Sequence, residues 1–231
     1  GEPNSVSSEI IFKSWKLKKN FIHKPLFIIG SIKLLNSQKK KLKYKIKLKQ
    51  INDRFKLSDL KGNELPVYNV EYNQNKPFDR LSNKSGKYIF KCFNLALKLV
   101  KDKKIIGFVN CPVSKEHLFK KKYQGITEFL SKKTGRLGNE VMLIYNKKLS
   151  VAPITTHIPI SDVNKNINKN SIVKKVKVIN NFYKNVFRKK PNIAILGLNP
   201  HNYSPSKEPE EKKIISKAIK NLIKLKISVT G

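Results

Sequence analysis

Two of the four histidines in this chain stand where a side chain can do chemistry. His157 follows a strand-like run, residues 149–156, and precedes Pro159 by two positions. His201 follows the apolar run 193–196 through Gly197 and Asn199-Pro200. Open α/β sheets bind ligands outside the carboxyl ends of their strands, and a neighbouring proline restricts the turn that delivers each imidazole there. Two neutral imidazoles so placed can bind a divalent metal, but a catalytic zinc site takes three protein ligands and keeps one position open. Spacing alone offers no third. The alternative is that both histidines are polar residues closing loops. His23, before a strand, and His117, at a helix start, read as ordinary surface residues. No GxGxxG follows a strand, no P-loop, GxSxG or HExxH occurs, and the serines and acids form no recognisable triad.

The elements that must position these residues alternate in type. Helical spacing is expected from Ile10 to Leu17, with Ser7 or Ser8 as a cap, and residues 26–30 read as a buried strand followed by a short helix over 31–36. Residues 42–48 alternate apolar side chains with lysines, the pattern of an edge strand protected by charge. Residues 52–86 read as irregular, and 88–100 as an amphipathic helix with Ile89, Cys92, Phe93, Ala96, Leu97 and Val100 on one side. A strand is expected at 105–109, a helix from 116 to 122, and another from Thr127 to about Lys133. Residues 141–145 and 149–155 suggest a hairpin around Asn146-Lys147-Lys148. A helix over 171–187, a strand over 192–198 and a helix over 210–226 complete the chain. This alternation means an α/β class with a mostly parallel sheet.

The 231 residues suffice for one large or two modest α/β domains. Fifty basic against 15 acidic residues give a formal charge of +35, which suggests nucleic acid or another anionic partner. Against specific nucleic-acid recognition, only Arg54, Arg80, Arg136 and Arg188 carry the guanidinium fork that reads phosphates and base edges. The lysines are spread along the whole chain, and with the abundant Asn and Ile they match an AT-rich coding sequence. Cys92 and Cys111 are the only cysteines and suggest neither a disulfide framework nor a CxxC site; a reducing, cytoplasmic setting is expected. No apolar run approaches the roughly 20 residues of a membrane span. The chain begins on Gly1 and ends on Val229-Thr230-Gly231 directly after a helical pattern, so a fragment lacking a C-terminal part is expected.

Five segments resemble one family in order: Gly1-Glu2-Pro3 with Glu9-Ile10, residues 112–115 after a strand, Gly125 with Thr127-Glu128-Phe129, Thr155-Thr156-His157 with Pro159, and Gly197-Leu198-Asn199-Pro200-His201. The family is 4-hydroxythreonine-4-phosphate dehydrogenase of pyridoxal-phosphate biosynthesis. The resemblance implies two α/β/α domains, 1–111 and 112–231, with a cleft between them, like isocitrate and isopropylmalate dehydrogenases. It implies a homodimer with the active site at the interface, NAD as cofactor without the usual glycine fingerprint, and a divalent metal (Zn, Mg or Co). His157 and His201 fall on two of three metal-ligand positions, the third lying beyond Gly231, and Thr127 falls on a substrate position. The implied reaction oxidises 4-phosphohydroxy-L-threonine to a β-keto acid that decarboxylates to 3-amino-2-oxopropyl phosphate. Ile126 stands where the family has a histidine, so a side chain able to donate to phosphate is replaced by one that cannot; Lys115 is the substitute we expect. The opening motif has Ser5 and Ser7 for glycines, and Asn202 to Ser206 replace a glycine-rich stretch. The catalytic acid or base is not legible. The competing readings are a dehydrogenase for a different phosphorylated hydroxy acid, a basic anion- or nucleic-acid-binding protein, and an inactive paralogue.

Overall fold

A computed structural model describes residues 1–21, 24–119, 122–123, 125–202 and 209–231, with the side chains of residues 19–21 excluded. The chain divides into two compact units, Gly1–Tyr123 and Gln124–Gly231.

The first unit is built on a three-stranded parallel sheet. Its elements are α1 (Ser7–Phe21), β1 (Ile28–Gly30), α2 (Ile32–Lys41), β2 (Leu48–Ile51), β3 (Leu65–Asn69), α3 (Asn83–Lys101) and α4 (Lys115–Phe119). The strand order is β1-β3-β2, with Ile28 opposite Val67 and Gln50 opposite the same residue on the other side. Ser31 caps α2 by accepting the Leu34 N–H at 3.3 Å, and its own N–H donates to the Tyr88 hydroxyl at 2.8 Å. Phe12, Trp15, Leu35, Ile46, Leu65 and Val67 form the core. Fully burying side chains such as Phe12, Leu65 and Val67 contributes about 1.5–3 kcal/mol each.

The second unit contains α5 (Ile126–Lys133), α6 (Val163–Asn166), α7 (Lys169–Phe187), β4 (Ile193–Ala194), α8 (Ser216–Lys224) and β5 (Val229–Thr230). β4 and β5 pair in parallel, Ile193 opposite Val229. Asn168 caps α7 by accepting the Ser171 N–H at 2.8 Å. The core joins Ile172 and Val176 of α7 to Ile215, Ala218, Ile219 and Leu222, with Ile195, Ile227 and Val229 from the strand side.

Both sheets are parallel, as the alternation of elements requires. Several local expectations change. The central strand β3 falls inside the stretch read as irregular, because Pro66 interrupts its pattern. The proline is tolerated since β1 pairs only from Val67 onward, so the missing N–H faces no β1 partner. The lysine-alternating segment becomes a strand only from Leu48. Residues 105–109 form no strand: Ile106 and Val109 are 92% and 99% exposed, with no partner strand among the described residues. The hairpin is reduced to one antiparallel bridge between Ile144 and Val151, as an isolated two-stranded ribbon with exposed arms is marginal. The strand expected over 192–198 shortens to Ile193–Ala194. His23 lies outside the described residues.

Candidate functional site

After β4 the chain is tied once more to β5, the Ile195 N–H donating to the Thr230 carbonyl at 2.8 Å, and then turns. Gly197 lies in that turn directly against the Asn202 carboxamide, which would have to move aside for any side chain at this position. The turn is held by the carboxylate of Glu211. Its Oε1 accepts the N–H of Leu198 at 3.0 Å and of Asn199 at 2.8 Å, and its Oε2 accepts Asn199 Nδ2 at 3.1 Å. Asn199 Nδ2 also donates to Glu210 Oε2 at 3.0 Å. These N–H groups hold the Glu211 carboxyl below its ordinary range, the Asn199 backbone first and its side chain second. A 3-10 turn over Pro200–Asn202 then presents His201, exposed, at φ 56° and ψ 19°.

His157 is reached by a different route. Lys175 of α7 donates to the Ile154 carbonyl at 2.6 Å, and Tyr183 donates to the Ser150 hydroxyl at 3.0 Å. Both bonds anchor the segment entering Thr155-Thr156-His157. His157 is exposed at φ 57°. Beyond it, the Asp162 N–H donates to the Pro159 carbonyl at 3.0 Å and leads into α6.

Seven described non-glycine residues have left-handed backbone. Four of them, Lys43, Lys103, Arg188 and Lys226, close the ends of α2, α3, α7 and α8, where this conformation is common. The other three are His157, His201 and Asn202, none of which ends an α-helix. Left-handed backbone costs a side-chain-bearing residue roughly 1–2 kcal/mol and concentrates at functional sites.

Ile126 and Thr127 are the first two residues of α5, which Phe129, fully buried, anchors. Gly125 precedes them in extended backbone. Thr127 is exposed and Ile126 half-buried, and among the described residues no hydrogen bond ties either to a histidine. Lys115, exposed, opens α4 and belongs to the other unit. His117 is structural: its Nδ1 lies 2.9 Å from the Ser114 hydroxyl, which also accepts its N–H at the start of α4. The structure therefore places His157, His201, Thr127 and Ile126 in one unit and leaves Lys115 in the other. Sequence reasoning missed Lys175, Glu210 and Glu211. The available signal was an adjacent acidic pair in a chain with only 15 acids.

Two imidazoles suit a borderline divalent ion in kind. They do not suffice in number, since no cluster of three His, Cys, Asp or Glu among the described residues can hold a metal. Two open hollows, 320 Å³ beside Trp15 and Lys45 and 340 Å³ beside Asn180 and Lys226, include neither histidine turn and give no reason to seat NAD there.

The family of pyridoxal phosphate biosynthetic protein PdxA matches residues 22–231, a span that takes in both histidine turns. The chain belongs to this family. A PdxA-family relative from Sulfurihydrogenibium sp., 4-hydroxythreonine-4-phosphate dehydrogenase, is 35% identical over 235 residues, covering 100% of this chain and 71% of its own length. The enzyme of the same name from Aquifex aeolicus is 34% identical over 205 residues, covering 87% of this chain but 61% of its own length. The crystal structure of a 4-hydroxythreonine-4-phosphate dehydrogenase from Burkholderia phymatum shares the fold with a TM-score of 0.85 at 24% identity, covering 100% of this chain and 71% of that one. The α/β architecture is thus that of the PdxA dehydrogenases.

Proposed function

We propose that the protein is an NAD- and divalent-metal-dependent dehydrogenase that oxidises the secondary alcohol of 4-phosphohydroxy-L-threonine in pyridoxal 5'-phosphate biosynthesis. The product β-keto acid loses CO2 to leave 3-amino-2-oxopropyl phosphate. The observation that carries this reading is the family match spanning both left-handed histidine turns. When bound, NAD supplies the hydride acceptor and the metal supplies Lewis acidity that favours the alkoxide form of the alcohol. His157 and His201 would hold the metal through neutral imidazole nitrogens, with further donors from outside the described residues.

The chain's own side chains bind and orient the substrate. Thr127, exposed at the start of α5, offers a hydroxyl, and Ile126 beside it offers only apolar surface. Lys115 supplies an ammonium for the phosphate. A charged hydrogen bond of this kind is worth about 1.5–3 kcal/mol. Lys115→Ala should therefore raise KM about tenfold or more for the phosphorylated substrate; an unchanged KM removes Lys115 from the site. We place the metal and substrate contacts in the part of the chain from Pro112 onward.

The assembly we propose is a homodimer, supported by exposed Met142, Ile144, Leu149 and Val151 on the bridged segment of the second unit. The free thiols of Cys92 and Cys111 support a reducing, cytoplasmic setting, and among the described residues no helix is long and apolar enough to cross a membrane.

Ile126 favours a second reading, in which the same chemistry acts on a different phosphorylated hydroxy acid. NADH formation by the full-length protein with a panel of phosphorylated secondary alcohols separates the two. Highest kcat/KM for 4-phosphohydroxy-L-threonine supports the first reading, preference for another member supports the second, and no turnover with metal bound sinks both.

A further inference from the structure

We propose that the hollow beside Asn180, at the amino edge of the β4–β5 sheet, binds a small anion carrying a terminal diphosphate, held by Lys184, Lys190 and Lys226 around the Asn180 carboxamide. The proposal is independent of the roles given above to the histidines.

The core-facing stripe of α7 changes character along its length. Ile172, Val176 and Asn180 follow at four-residue intervals and are 1%, 3% and 6% exposed, the spacing of one buried helix face. The third position carries an amide where that stripe calls for an apolar side chain. Burying an amide without a partner costs free energy, and among the described residues the Asn180 carboxamide makes no hydrogen bond. Neither of its polar atoms is sealed from solvent, and the residue lines the hollow. The carboxamide therefore faces the hollow with its hydrogen-bonding capacity free.

The hollow has a volume of about 340 Å³, at the small end of ligand sites. Three separate segments bring cations to it: Lys184 on α7, Lys190 between α7 and β4, and Lys226 between α8 and β5. Among the described residues none of the three forms an ion pair. No acidic residue lines this hollow, whereas the one beside Trp15 includes Glu64. Pro191 and Ser228, just before β4 and β5, form its strand side, and the Ser228 hydroxyl is already engaged by Asn192 Oδ1 at 3.0 Å.

Neutralising helix dipoles does not account for these lysines. Each helix C-terminus carries about half a negative charge, so the ends of α7 and α8 together offset about one of the three ammonium charges. The surplus calls for an anion, and lysine binds phosphate as a point charge. Three spaced ammonium groups match a terminal diphosphate better than a single orthophosphate or the bridging diphosphate of a dinucleotide. The His201 turn follows β4, at the other end of that strand, so the hollow is separate from the metal and substrate contacts proposed above.

The test is calorimetric titration of the full-length protein with pyrophosphate at about 0.15 M salt, with orthophosphate as a second arm and thermal melting as a check on folding. Pyrophosphate should saturate the hollow and bind more tightly than orthophosphate. Lys190→Gln and Lys226→Gln should each weaken it about tenfold, the cost of one charge-assisted hydrogen bond. Asn180→Asp sets a carboxylate among the lysines and should abolish binding in a folded protein. Lys189→Gln removes the same charge from an exposed position that does not line the hollow, and should bind as wild type. Equal weakening by Lys189→Gln reduces the effect to counterion attraction and overturns the proposal. Binding unchanged in both Lys190→Gln and Lys226→Gln overturns it as well, since the anion then sits elsewhere, and these two variants decide if Asn180→Asp fails to fold. Orthophosphate binding as tightly overturns the diphosphate assignment, and no saturable binding by about 10 mM pyrophosphate overturns the site itself.

Discussion

In the first unit, β3 pairs with β1 over three residues and with β2 over four, and Phe12, Leu65 and Val67 are fully buried against it. In the second, β4 and β5 pair over two residues, and the turns that carry His157 and His201 are kept in place by carboxylate, lysine and amide hydrogen bonds. Left-handed side-chain-bearing residues that close no α-helix, namely His157, His201 and Asn202, lie in the second unit, whereas those that close one, Lys43, Lys103, Arg188 and Lys226, are shared between the two. The difference separates two ways of fixing backbone. Apolar burial is non-directional and fixes a sheet; a turn that must present a particular side chain needs directional bonds to its N–H and C=O groups.

The largest effect that sharpens this contrast is expected at Phe12. Phe12→Ala should cost about 3–5 kcal/mol in urea unfolding, as aromatic truncation in a closed core does, without altering Co2+ affinity of the folded protein. A large loss of affinity would mean the two units are not energetically separate. Next is Gly86, where a Cβ would lie 2.8 Å from the His117 carbonyl between α3 and α4. Gly86→Ala should destabilise by about 1–3 kcal/mol through overpacking, again read by urea unfolding and again silent in metal binding.

A smaller effect is expected at the histidines themselves. Left-handed backbone penalises a Cβ but not glycine, so His201→Gly should be more stable than His201→Ala by about 1 kcal/mol, and likewise at His157. Both substitutions should lose metal equally. Equal stability of the Gly and Ala variants would show that the turns are unstrained.

The most subtle effect is on pH dependence. The Glu211 carboxyl is held below its ordinary range by the Asn199 N–H groups, and Glu210 by its own backbone, Asn199 and Asn164. A carboxyl with a depressed folded pKa contributes stability above its unfolded value that is lost as pH falls through the folded one. The stability advantage of wild type over Glu211→Gln should therefore be fully present at neutral pH. It should begin to shrink below about pH 4.3, the unfolded glutamate value, and disappear at lower pH. An advantage independent of pH would show that shape rather than charge matters at this position.

What was legible in the sequence divides along the same line. His157 and His201 were visible because a strand-like run, a turn signal and a proline mark them locally. The parallel α/β class was visible because alternation of elements is a property of the whole chain. The strand at 105–109 was over-read, since a run such as Ile105-Ile106-Gly107-Phe108-Val109 is strand-like only when a neighbour pairs with it. β3 was under-read because Pro66 breaks its pattern, although the proline's missing N–H has no β1 partner to disappoint. The contact of Glu211 with the turn before His201 was invisible for a different reason. Asn199 and Glu211 are twelve residues apart, and no periodicity connects a turn to a carboxylate on the next helix. Contacts of that kind are settled by tertiary structure.

The central claim, that the two left-handed histidine turns form the catalytic metal site of a dehydrogenase, is tested most directly by the His201→Ala variant of the full-length protein. NADH formation from 4-phosphohydroxy-L-threonine is measured with saturating divalent metal, beside the wild type. The account predicts that kcat falls by more than about 100-fold, beyond what loss of an outer-shell partner costs, in a protein that melts as the wild type does. A folded His201→Ala protein with wild-type turnover would contradict it.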